Sequence, residues 1–162
     1  MDFLPLSEII FRKSISRIQI HDGLTIFASE RAKFEGWLKV ELCSILSESF
    51  DDVIPEKDRI DITFQDWAIE LKTLNTNYRF PNIVNKTRPI TKNVQEVVDD
   101  IKKLQTTSYP NKSVLFVVFP AQHNDKNWQI HLQKISANLQ DMKFQEFEFK
   151  NNVPGILYFG LI

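Results

Sequence analysis

The sequence predicts an α/β protein with a mixed β-sheet flanked by helices. Three patterns carry that expectation. Two stretches alternate with period two, Arg59–Phe64 and Trp67–Thr73. Two segments place apolar residues at helical spacing, and one run, Ser113–Phe119, is apolar almost throughout, as in a strand buried on both faces.

Residues 1–22 are ambiguous: Ser7 could cap a short helix, and Ile15 to Ile20 could equally begin as a strand. Leu24 to Ala28 reads as a short strand ending at Ser29, which would cap the next element. From Glu30 to Ser49 the spacing predicts a helix with Phe34, Trp37, Leu38, Leu42, Ile45 and Leu46 on one face. After the strand pair, Leu74 to Ile90 has no regular period and reads as a long loop. Thr91–Leu104 is a second helix with Val94, Val97, Val98, Ile101 and Leu104 inward. A third helix is expected over Asn124–Leu139, then closing strands at Met142–Lys150 and Gly155–Ile162. Helices and strands in this order suit a layered α/β sandwich.

The chain of 162 residues fits one domain, with no repeat, low-complexity tract or linker. Hydrophobic residues at 43%, with 13 Phe against 4 Gly, exclude a disordered or fibrous class. The single cysteine, Cys43, reads as a small buried hydrophobe and excludes a cysteine-built zinc site. An acidic start and the lack of any long apolar run predict a soluble cytoplasmic protein without membrane segments. The net charge of −1 gives no global sign of a nucleic-acid binder, so any such activity must rest on local charge.

The alternating pair holds the chemistry. With Gln65 and Asp66 as a two-residue turn, the facing pairs are Phe64–Trp67, Thr63–Ala68, Ile62–Ile69, Asp61–Glu70, Ile60–Leu71 and Arg59–Lys72. One face is then wholly apolar, and the other carries Asp61, Glu70 and Lys72. A one-residue slip would put the core residues in water. Carboxylates directly opposite one another repel, and a hard divalent cation, Mg²⁺ or Mn²⁺, would reverse that interaction. Lys72, two residues beyond Glu70, projects from the same face. The bland reading is a solvated polar face with an exposed ion pair. Glu41 falls within the apolar stripe of the first long helix and needs a partner, for which a metal site or Lys72 would serve. Glu35, on the other flank, is a weaker substitute. From Lys72 through Lys92 there are five cations and no acid: Lys72, Arg79, Lys86, Arg88 and Lys92. Tyr78 and Phe80 flank Arg79, as in a loop that contacts phosphates and bases.

Helix glutamate, Asp61, then Glu70-Leu71-Lys72, then a helix and a buried strand resembles the PD-(D/E)XK nuclease superfamily over roughly residues 30–120. The proline that its motif places before the aspartate is Ile60 here. Its core commonly has one more strand before the aspartate, and Asp51–Glu56 offers no clear candidate. The resemblance implies a restriction-endonuclease-like core and a metal-dependent endonuclease acting on nucleic acid, DNA before RNA. It implies Asp61, Glu70 and the Leu71 carbonyl as Mg²⁺ or Mn²⁺ ligands, Lys72 as the residue that orients or activates water, and Glu41 as the helix acid. Arg79, Lys86, Arg88 and Lys92 are the expected nucleic-acid contacts. A lone domain with no DNA-reading module suits a homodimer or a subunit of a larger complex. The alternative is a non-catalytic module that keeps the fold and binds nucleic acid or protein. Gln95, His123 and His131 read as surface or packing residues, His21-Asp22-Gly23 reads as a turn, and no phosphate loop or nucleophile elbow is present.

Overall fold

A computed structural model describes residues 1–162. The elements are α1 (Phe3–Ile20), α2 (Asp22–Glu30), α3 (Glu35–Ser47), β1 (Ile54–Pro55), β2 (Ile62–Phe64), β3 (Trp67–Asn75), α4 (Ile90–Gln105), β4 (Asn111–Phe119), α5 (Lys126–Ser136), β5 (Asp141–Glu148) and β6 (Pro154–Leu161). A single six-stranded sheet runs β1-β2-β3-β4-β6-β5. β3 and β4 are parallel and every other pair is antiparallel, so the mixed sheet and its helical layers are as the sequence predicts.

Alternation along the central strands divides the core in two. Leu115, Val117 and Phe119 of β4 join Trp67, Ile69 and Leu71 of β3 beneath α1, α2 and α3. Val114, Phe116 and Val118 face the other way, against Val94, Val97 and Ile101 of α4 and Trp128 and Leu132 of α5. β4 is therefore buried on both faces, which is why its sequence is apolar without alternation. No helix is long and apolar enough to cross a membrane.

Three expectations are corrected. Leu24–Ala28 is helical, part of α2. The His21 ring accepts from the Leu24 N–H at 3.3 Å, and Leu24 and Ala28, one turn apart, are buried together. α3 accordingly starts at Glu35 rather than Glu30, and Ser29 lies inside α2 instead of capping a helix. Residues 54–55 supply the strand that could not be found before the aspartate: Ile54 pairs with Thr63 and Pro55 with Ile62.

Candidate functional site

The β2–β3 hairpin turns at Gln65-Asp66 as expected. Gln65 adopts a left-handed φ of 45°, uncommon for a residue with a side chain. Its N–H is held by the Asp52 carboxylate at 2.7 Å, which offsets part of that strain. Pairing follows the expected register at Phe64–Trp67, Thr63–Ala68 and Ile62–Ile69. Beyond Ile62 the expected register fails. Residues 57–59 form a tight turn with Asp58 and Arg59 in left-handed conformations, so Arg59 does not face Lys72, and Ile60 packs with Ala68 and Leu104 instead of opposite Leu71. The Leu71 N–H, released from that pairing, donates to Asp61 Oδ2 at 2.8 Å. Glu56, Asp58 and Arg59 all have positive φ, which concentrates backbone strain next to Asp61.

Asp61 and Glu70 meet across the hairpin. Glu70 is 4% exposed, and its pKa is raised to about 8, first by burial and then by the Asp61 carboxylate. Burial would raise Asp61 too, but hydrogen bonds from Lys39, Glu70 and the Leu71 N–H hold it below the usual range. Burial and the neighbouring Asp61 carboxylate thus favour the protonated form of Glu70, while the Lys103 contact opposes them. Lys103 of α4 also touches Glu70 and the Arg59 carbonyl. That ammonium contact works against burial and favours the ionised form of Glu70. Lys39 of α3 reaches Asp61 Oδ1 at 2.7 Å and Glu56 at 3.0 Å.

Lys72 lies on the Glu70 face of β3 and pairs with Asp100 of α4 at 3.2 Å. Burial would lower its pKa, but the charges of Asp100 and Glu35 raise it, so Lys72 is held as a cation. Burial also raises Asp100.

Glu41 is not part of this site. It pairs with Arg17 of α1 at 2.7 Å. At 100° per residue, Glu41 lies about 200° around α3 from Lys39, which faces Asp61. Glu35, one turn before Lys39, shares the site-facing side and acts on Lys72. Sequence reasoning also missed Lys39, Asp100 and Lys103. Each is brought to the strands by tertiary packing and carried no signal of its own.

The basic segment is only partly free. Arg79 and Lys92 are exposed. Lys86 pairs with Glu30, while Arg88 is half-buried and donates to the Glu30 carbonyl at 3.2 Å. Gln95 is exposed and bonds Asp99 within α4. His123 is joined to Tyr158 at 2.7 Å, and His21 caps α2.

The two remaining acids and the hard main-chain oxygen of Leu71 are chemically suited to Mg²⁺ or Mn²⁺. A strand residue directs its N–H and C=O to the same side. The Leu71 carbonyl therefore faces the side on which its N–H meets Asp61. No three His, Cys, Asp or Glu side chains are gathered into a complete ligand set. Fold and site together define a mixed-sheet α/β protein with a paired-carboxylate centre flanked by lysines. No family model, curated protein or solved structure matches the chain.

Proposed function

We propose that the protein is a Mg²⁺- or Mn²⁺-dependent nuclease that hydrolyses phosphodiester bonds of nucleic acid, DNA in preference to RNA. The observation that carries this reading is the meeting of the Asp61 and Glu70 carboxyls across the hairpin, with Lys72 on the same face of β3. Holding two acids together in a buried place costs stability. A divalent cation offsets that cost. The order α3-β1-β2-β3-α4-β4, with β3 parallel to β4, supports the restriction-endonuclease-like core that the resemblance implies.

In this reading Asp61, Glu70 and the Leu71 carbonyl would hold the cation, in place of the present contacts of Lys39 and Lys103 with the two acids. When bound, the cation supplies the charge that lowers the pKa of water and offsets charge gathering on the phosphate. Lys72, fixed by Asp100, orients the attacking water and adds a second positive charge beside the phosphate. Glu35 replaces Glu41 as the helix acid. Arg79 and Lys92 offer their charge to the strand backbone.

One observation favours the non-catalytic reading. Lys39 and Lys103 already satisfy both acids, so the centre can stand as a structural charge cluster. Plasmid, single-stranded DNA and RNA incubated in Mn²⁺ with wild type and Lys72→Ala decide between them. Cleavage by wild type that falls by orders of magnitude in Lys72→Ala, with binding retained, supports the nuclease. Equal cutting by both removes Lys72 from the chemistry, and no cutting by either leaves the binding module.

A further inference from the structure

We propose that the loop between β3 and α4 forms a recess for a backbone phosphate of a nucleic-acid strand, lined by Asn77, Arg79, Asn85, Lys86 and Thr87. The choice of nucleic acid as ligand rests on the nuclease reading, while the test below does not depend on catalysis. The recess is about 190 Å³ and has no apolar or acidic lining residue. Guanidinium, ammonium, amide and hydroxyl groups are the donors that phosphate oxygens accept from.

What makes this a built site rather than a solvated loop lies beneath it. Arg31 is 0% exposed, yet no carboxylate meets it. Its guanidinium donates from Nη1 to the Thr76 carbonyl (2.7 Å), from Nη2 to Tyr78 (2.6 Å) and from Nε to Val84 (2.8 Å). These carbonyls border the recess residues in the chain: Thr76 and Tyr78 bracket Asn77, Tyr78 precedes Arg79, and Val84 precedes Asn85. The Val84 N–H is also held, by the Ser29 carbonyl at 3.1 Å. The loop backbone is thus fixed before a ligand arrives, which removes ordering entropy from binding.

The arrangement also leaves unbalanced positive charge. Buried charges are normally paired with an opposite charge, and Arg31 is satisfied by neutral carbonyls alone. Arg79 takes part in none of the ion pairs. Only Glu30 opposes these charges, through Lys86, and that pair is partly exposed and replaceable by a phosphate.

The test is binding of a fluorescein-labelled single-stranded DNA oligonucleotide in EDTA across a salt series. Arg79→Ala should weaken binding several-fold and reduce the slope of log K against log salt by about 0.7, one phosphate contact fewer. Asn85→Ala should weaken binding with the slope unchanged, because it removes a neutral donor. Lys126→Ala, an exposed cation of α5 outside the recess, should leave both unchanged. An oligonucleotide with neutral methylphosphonate linkages should not bind. Binding unaffected by Arg79→Ala, or weakened as much by Lys126→Ala, would overturn the recess whether or not the protein cleaves. The expected pattern without cleavage in Mn²⁺ would support the recess and overturn only the nuclease reading.

Discussion

His123 stands at the end of a hydrogen-bond chain. Trp128 Nε1 can only donate, and it donates to the Tyr158 hydroxyl at 2.8 Å. That hydroxyl also lies within hydrogen-bond distance of His123 Nδ1, at 2.7 Å, and the imidazole stacks on Phe144 with centroids 3.6 Å apart. Burial lowers the His123 pKa, as it does for His131, and so favours the neutral ring. Below the ordinary histidine value of 6.5 the unfolded chain binds more protons than the folded one. The histidine contribution to stability is thus present above pH 6.5 and is lost as pH falls through the lowered folded values. Glu70 acts with the opposite sign. Its contribution is full below the ordinary 4.5 and is lost as pH rises to about 8. Melting in EDTA should separate the two. The Tm advantage of wild type over His123→Gln should shrink between about pH 7 and pH 5. Glu70→Gln should abolish the fall in Tm that wild type shows approaching pH 8. A His123→Gln difference that does not vary with pH would remove His123 from this account.

At this scale the sequence disclosed Asp61, Glu70 and Lys72 because period-two alternation puts them on one face. It did not disclose Arg31, Lys39, Asp100 or Lys103. Their roles depend on how helices meet the sheet, and a lone charged residue on a helix looks the same whether it caps a site or faces water.

The β5–β6 hairpin illustrates how an element constrains its residues. Gly155 lies opposite Phe147, and a Cβ at that position would come within 2.5 Å of the Phe147 ring. Phe147 itself is buried in the larger core. Gly155→Ala should therefore destabilise by about 1–3 kcal/mol, the range for overpacking a filled core. Urea unfolding would measure it, and Gly36→Ala is the control, since a Cβ there meets nothing within 4 Å. Equal effects of the two substitutions would contradict the packing argument. Elements whose apolar pattern is long were legible in the sequence. Val94, Val97, Val98, Ile101 and Leu104 are all buried on α4 as expected. The short segment Leu24–Ala28 was not, because Ile26 and Phe27 suggest a strand while the helix exposes both and buries Leu24 and Ala28. Glu41 was misplaced for a related reason. The apolar stripe of α3 carries no sign of α1, whose Arg17 gives that glutamate its partner.

Across the whole molecule, a net charge of −1 hides a local division of charge. Acids and lysines interleave at the hairpin, while the loop held by Arg31 carries cations with one opposing carboxylate. The central claim is that the hairpin acids form a cation site, and metal-dependent stability tests it most directly. Only the folded chain gathers Asp61, Glu70 and the Leu71 carbonyl, so on that claim Mn²⁺ stabilises by mass action, by about 2.7 kcal/mol at a hundredfold excess over Kd. Thermal melting across millimolar Mn²⁺ should show a Tm that rises with concentration in wild type and hardly moves in Asp61→Asn. A wild-type melting curve that stays fixed across that range, or a rise of equal size in Asp61→Asn, would contradict the account.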